Sequence, residues 1–137
     1  MDMENRIRSS FARQGMMTTF GATLDAIAPG AVTISAPLAQ ATGQQQGFAH
    51  AALTFGLGDT AAGYAALSLL DPDQEVVTSE MSIHLLAPGR GSRLIARGSV
   101  IRPGRRLLVV QAPVFALLDG EERHIAALTG TMVPVRA

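Results

Sequence analysis

From Phe48 to Leu70 the chain is built mostly of Ala, Gly and Leu, with His50 and Asp59 as the only acidic or basic side chains in the run. A helix that is apolar all round must be buried all round, in a domain core or in a bilayer. Asp59 falls near the middle, where insertion into a membrane would cost about 2.5 to 3.5 kcal/mol. The run is therefore expected to form a central helix over about residues 48–70, buried within a domain that does not enter the membrane. Gly56, Gly58 and Gly63 each cost roughly 1 kcal/mol against Ala in a helix interior. They are expected to mark places where a sheet presses on the helix.

What remains of the chain has to supply that sheet. Asp71-Pro72-Asp73 stops the helix, and Pro88-Gly89, Pro103-Gly104 and Asp119-Gly120 divide the rest into four strands: about 75–86, 93–102, 106–118 and 123–135. Short links predict that each strand pairs antiparallel with the next. Pro113 cannot donate to a ladder, which predicts a bulge or an edge position. Met81, Ile83 and Leu85 are expected on one face of the first of these strands, with Thr78, Glu80, Ser82 and His84 on the other. Upstream, Ile7 and Phe11 give a short amphipathic helix within residues 1–15, and residues 18–36 are expected to be extended as a hairpin around Pro29-Gly30. No repeat and no domain boundary interrupts residues 1–137, so the expectation is one α+β domain, a sheet wrapped around one helix.

Composition narrows the function. The 137 residues contain no Cys, which removes disulfides, thiolate nucleophiles and cysteine-ligated metals, and suits a cytoplasmic location. The N-terminal residues lack the apolar stretch of an export signal. Net charge is zero and aromatic residues are 4% of the chain, against nucleic-acid binding. His84 and His124 have no ligand-like spacing to other His, Asp or Glu, and no metal is expected.

Gly47-Phe48-Ala49-His50-Ala51-Ala52 leads into the helix that carries Asp59, after Gln44 in the loop and before Thr78 with Glu80 and Pro88 with Gly91. In these residues and their spacing the chain resembles the PaaI-like acyl-CoA thioesterases of the hotdog superfamily over nearly its whole length. Ala51 and Ala52 stand where that family has two glycines. The resemblance implies a hotdog fold, an acyl- or aryl-CoA substrate with a medium-chain or aryl acyl group, no cofactor, and a homodimer or a tetramer of two dimers with sites at subunit interfaces. It also implies that Thr78 and Gln44 assist the carboxylate, the water or the carbonyl, with Gly47, His50 and Ala52 near the substrate.

The chemistry can be argued from the residues themselves. The first N–H groups of a helix lack internal partners and sit at its positive end, so the N–H of Ala51 is suited to an oxyanion on a thioester carbonyl. Asp59 follows His50 by nine residues, on the opposite face and roughly 13 Å along the axis. One helix cannot bring them together, but two laid side by side in a symmetric dimer can. Asp59 is then a general base or a nucleophile. Six Arg lie between Arg90 and Arg106, of which Arg90 and Arg105 flank turns and are the candidates for coenzyme A phosphates. Two other functions remain open: a non-catalytic acyl-CoA binding or sensing protein, and a hydroxyacyl-thioester dehydratase.

Overall fold

Asp2 starts the ordered chain by accepting a hydrogen bond from the backbone N–H of Asn5 at 2.8 Å, which caps helix α1, Met3–Ala12. The computed structural model describes residues 1–136. A second short helix, α2, spans Gly15–Phe20, where the sequence suggested that extended chain begins at Thr18. Tertiary packing decides this. Met17 is buried, and the ring of Phe20 lies where a Cβ on Gly56 would be, 2.8 Å away. Strands β1, Thr23–Ala28, and β2, Ala31–Pro37, then form the hairpin around Pro29-Gly30.

The central helix α3 is Ala51–Leu67, shorter than its apolar run. Phe48 and Ala49 are spent on the preceding loop: the Phe48 carbonyl accepts from the N–H of Gln44 at 2.8 Å, and the N–H of Ala49 donates to the Gly89 carbonyl at 2.9 Å. At the other end the hydroxyl of Ser68 donates to the Ala65 carbonyl at 2.6 Å and accepts from the N–H of Gly30 at 2.7 Å, tying the helix terminus to the hairpin turn.

Strands β3, Gln74–Leu85, β4, Arg93–Pro103, β5, Leu108–Leu118, and β6, Glu121–Arg136, complete a six-stranded antiparallel sheet in the order β1-β2-β4-β5-β6-β3. This is a hotdog fold, one long helix held in the curve of an antiparallel sheet. Leu53, Leu57, Ala61 and Ala62 of α3 pack on Ile34, Leu94, Val110 and Leu128 of the sheet. Of the helix glycines, Gly58 faces Leu128 with no room for a Cβ, whereas a Cβ on Gly63 would meet nothing nearer than 3.9 Å. Where helix meets sheet, the tightest approach is at a strand glycine. A Cβ on Gly98 of β4 would fall 2.3 Å from the carbonyl carbon of Ala61.

Two expectations about the strands are corrected. β3 does not pair with β4, because both edges of β4 are taken, by β2 and β5. The seven-residue link 86–92 instead crosses the ends of β5 and β6. Ile125 is an extra residue on β6, skipped by the β5 register, and its carbonyl accepts from the N–H groups of Leu86 at 2.7 Å and Ala87 at 3.2 Å. Pro113 is not at an edge: β5 lies between β4 and β6, and the β4–β5 register continues unshifted from Ala96↔Val114 to Ser99↔Gln111, with the ladder interrupted at Pro113 and Ala112, while on the other side Pro113 is opposite Ala127.

The second correction concerns which way side chains point. In the β3–β6 register Thr78 is opposite Met132 but Glu80 is opposite Thr131, so Ser79 is an extra residue on β3. That bulge shifts the alternation by one. Thr78 therefore faces α3, the same side as Met81 and Ile83, and not with Ser82 and His84. β3 has no neighbour on its outer side, and Val77, Leu85 and Leu86 are 49%, 58% and 54% exposed.

Because the clash at Gly98 would be with backbone, it cannot be relieved by a rotamer change. Gly98→Val is expected to lower stability by about 3 kcal/mol, and Gly15→Ala, with open space around it, by less than about 0.5 kcal/mol. Urea unfolding monitored by circular dichroism checks both.

Candidate functional site

The loop before α3 is held by its own polar groups. Oε1 of Gln44 accepts from the N–H groups of Gln46 and Phe48, its Nε2 donates to Gln46 at 3.3 Å, and the N–H of Gly47 donates to the Gln44 carbonyl at 3.1 Å. Gly47 sits at a φ of +86°, in the left-handed region that favours glycine. The N–H of His50 donates to the Thr42 carbonyl at 3.0 Å. These bonds place the first turn of α3 without help from any charged group.

His50 caps that turn: its Nδ1 accepts the N–H of Ala52 at 2.9 Å. The N–H groups of Leu53 and Thr54 bond to the His50 carbonyl. Ala51 is left as the N–H at the helix start with no acceptor among the described residues, and it is exposed. It borders a cleft of about 420 Å³ together with Gln44, Phe48, Leu86, Pro88 and Ile125. Of the two alanines at the helix start, Ala51 has the free donor and Ala52 does not.

A neighbouring groove of about 310 Å³ shares Ala87 and Pro88 with this cleft and carries Arg90 and Arg123. The guanidinium of Arg90 lies 4.5 Å from the centre of the Phe48 ring, so it also touches the wall of the cleft. Neither Arg90 nor Arg123 has a carboxylate partner among the described residues, whereas Arg6, Arg8, Arg97 and Arg136 are all ion-paired. Arg97 is held by Glu122 at 2.7 Å, which raises the Arg97 pKa and lowers that of Glu122 through the hydrogen bond. Arg123 carried no signal in the sequence. It reaches Arg90 only because the 86–92 link crosses the β5–β6 end, which no local pattern encodes. Arg105 lies apart from both, in the turn after β4; the 11 residues of β4 between Arg90 and Arg105 span roughly 33 Å.

Asp59 lies elsewhere on α3. Its Oδ1 accepts from the Thr78 hydroxyl at 2.8 Å, and Met132 Sδ is 3.3 Å from the same hydroxyl. The apolar surroundings of Asp59 in the sequence suggested a buried carboxylate, but it is half-buried because the last strand over it, β3, is an edge. No ion pair reaches it among the described residues. With Thr78 it borders a separate cavity of about 220 Å³. Eight residues of helix separate Ala51 from Asp59, about 12 Å along the axis. One protomer thus places a free helix N–H in one cleft and a hydroxyl-held carboxylate in another. Among the described residues no three His, Cys, Asp or Glu side chains converge as metal ligands would, and no helix is long and apolar enough to cross a membrane.

The thioesterase superfamily matches residues 46–122 of the chain. No curated protein matches it. Among solved structures, a thioesterase family protein from Silicibacter pomeroyi is 41% identical over 98% of this chain and 99% of its own, with a TM-score of 0.96. The PaaI protein from the phenylacetic acid degradation operon of E. coli is 18% identical over 97% and 93%, with a TM-score of 0.87. The BH2602 protein from Bacillus halodurans, solved with CoA, is 24% identical over 98% and 86%, with a TM-score of 0.79. At such identities the last two are likenesses of fold.

The His50 cap gives a test of the local geometry. His50→Ala is expected to cost about 1 kcal/mol and His50→Asn, which restores an acceptor, about half of that or less. Thermal unfolding of the two variants beside the parent chain measures the difference.

Proposed function

The chain belongs to the thioesterase superfamily, and on that premise we propose that it hydrolyses acyl-coenzyme A thioesters with Asp59 as its catalytic carboxylate. The observation that carries this is the Thr78–Asp59 hydrogen bond: a carboxylate with no ion pair among the described residues is held at 2.8 Å by one oxygen, beside a cavity. The other oxygen, Oδ2, is left for chemistry. Acting as a base, it takes a proton from water as the water oxygen attacks the thioester carbon. Acting as a nucleophile, it forms the new C–O bond itself and gives a mixed anhydride that water then cleaves. In either course the C–S bond breaks, and the departing CoA thiolate takes up a proton.

The oxyanion that forms at the carbonyl needs a donor fixed in advance, and the free N–H of Ala51 at the positive end of α3 supplies one. It cannot come from the same helix as the carboxylate. A two-fold axis beside the free edge of β3 resolves this, because pairing β3 with β3 of a second copy lays the two α3 helices side by side. Asp59 of one protomer then lies near Ala51 of the partner subunit, and Val77, Leu85 and Leu86 lose their exposure. Gln44, whose side chain is occupied with its own loop, acts by holding Gly47 and the helix start in place. His50 fixes which N–H is free.

Arg90 and Arg123 supply the counter-charge for the phosphates of the coenzyme. The cleft at Ala51 and the groove between the two arginines share a wall, so a thioester at Ala51 can lead its nucleotide toward them. Arg105, at the far end of β4, does not join them within one protomer.

Thiol release from acetyl-, phenylacetyl- and decanoyl-CoA is the deciding assay. Asp59→Asn is expected to lose at least about 100-fold in kcat while remaining folded and of unchanged size by gel filtration. Arg123→Gln is expected to raise KM for acyl-CoA about tenfold or more, the worth of a charge-assisted contact, but to leave hydrolysis of the matching N-acetylcysteamine thioester, which has no nucleotide, unchanged. A parent chain that binds acyl-CoA and releases no thiol would replace hydrolysis with a binding function.

A further inference from the structure

Gly130 stands inside β6, opposite Met81 of β3 on one side and Val110 of β5 on the other. Glycine is a poor residue for such a place, since it packs nothing and loses the most chain freedom on folding. No left-handed φ calls for it. The requirement is steric: a Cβ at this position would fall 2.2 Å from the carbonyl oxygen of Glu80 and 3.0 Å from the Cα of Met81, backbone atoms that no rotamer change can move. In a regular antiparallel ladder, side chains point out of the pleat and clear the opposite backbone.

The bulge beside Gly130 accounts for the difference. From Thr78 to Glu80, β3 takes two steps where β6, from Met132 to Thr131, takes one. The extra residue, Ser79, brings the backbone at 80–81 over the place that a side chain on residue 130 would occupy, and only glycine leaves that place empty. The bulge in turn decides where Thr78 points. Thr78 and Met81 are three residues apart, so in a regular strand they stand on opposite faces, whereas with the bulge both face α3. There the Thr78 hydroxyl donates to Asp59 Oδ1 at 2.8 Å, with Sδ of the buried Met132 3.3 Å away.

We propose that Gly130 is a positioning residue for the reaction: it accommodates the β3 bulge, and through the bulge it keeps the Thr78 hydroxyl on Asp59. The inference rests on Asp59 being the catalytic carboxylate. A methyl at residue 130 leaves β3 two courses: to shed the bulge, which with Ser79 in place turns Thr78 away from α3, or to part from β6 beside Thr78. Either withdraws the hydroxyl from the carboxylate without touching Ala51, Arg90 or Arg123. Deleting Ser79 removes the conflict at its source, because the pairs from Gln74↔Arg136 to Thr78↔Met132 and those from Glu80↔Thr131 to Leu85↔Ala126 then form one regular ladder.

Steady-state thiol release from acetyl-, phenylacetyl- and decanoyl-CoA by the full chain tests this, with folding followed by circular dichroism. Gly130→Ala is expected to lower kcat about tenfold or more, the worth of a hydrogen bond to a charged group, with KM within about twofold of the parent. Thr78→Val is expected to do the same, and the two changes together to cost no more than about twofold beyond Thr78→Val alone, since one acts through the other. Deletion of Ser79 in the Gly130→Ala chain is expected to return kcat to within about threefold of the parent. A folded Gly130→Ala chain with the parent's kcat, losses that multiply in the double variant, or a Gly130→Ala chain that stays unfolded or slow after Ser79 is deleted overturns the inference and leaves the thioesterase reading intact. Full activity in Asp59→Asn, or no thiol release from any acyl-CoA, overturns both.

Discussion

The backbone of α3 at Ala61 and Ala62 rests directly on Gly98 of β4, at a distance that excludes any side chain between them. Helix and sheet are ordinarily held apart by close-packed side chains; here, at one point, that layer is absent. The consequence is a sheet that can curl around the helix on both sides, from β2 to β3. With small residues at 61, 62, 65 and 66, all buried, the helix can be enclosed although the chain has no Trp and few other aromatic rings to fill a larger gap. Enclosure also explains why the connection after β3 must pass over the end of the sheet: β4 is committed to the middle, under the helix, and its two neighbours are already set.

That crossing is what assembles the candidate substrate cleft. The link 86–92 is pinned to the Ile125 carbonyl at one end and, through the N–H of Ser92 to the Leu117 carbonyl at 2.9 Å, at the other. It thereby carries Pro88, Gly89 and Arg90 against the loop that begins α3, where Gly89 accepts from Ala49. A bulge on β6 frees the carbonyl that holds the link, and a bulge on β3 turns Thr78 toward Asp59. Two single-residue insertions in otherwise regular ladders thus do the positioning, one for each cleft.

The parts of the fold written in local pattern were readable from the sequence. The apolar run predicted the central helix, the proline and glycine pairs predicted the turns, and the spacing of Gly47, His50 and Asp59 pointed to the family. What misled was decided by contacts distant in the chain. Thr18–Phe20 has residues that suit a strand, but Phe20 gains more by covering Gly56 in a helical turn. Alternation along β3 assigned Thr78 to the wrong face because a bulge at Ser79 leaves no mark in hydrophobic periodicity. Pairing of β3 with β6 depends on which edges are free once β2 has docked on β4, and only the assembled sheet contains that information. Arg123 was invisible for the same reason, since its relation to Arg90 is a product of the crossing.

The division of chemical groups along α3 follows from the same geometry. A helix can present a free N–H only at its first turn, and it can hold a carboxylate against a strand only where a strand covers it, which for β3 is opposite its middle. At 1.5 Å per residue these two places cannot coincide on one helix. On the proposed reading, a single domain of this design has each half of a hydrolytic site and not the whole, and β3, a partly apolar edge strand, is the strand that carries the hydroxyl bonded to the carboxylate. The pressure to cover the edge of β3 and the second helix start that the proposed reaction requires at Asp59 therefore point to the same surface, so that in the proposed dimer association of two copies would extend the sheet and complete the site in one step.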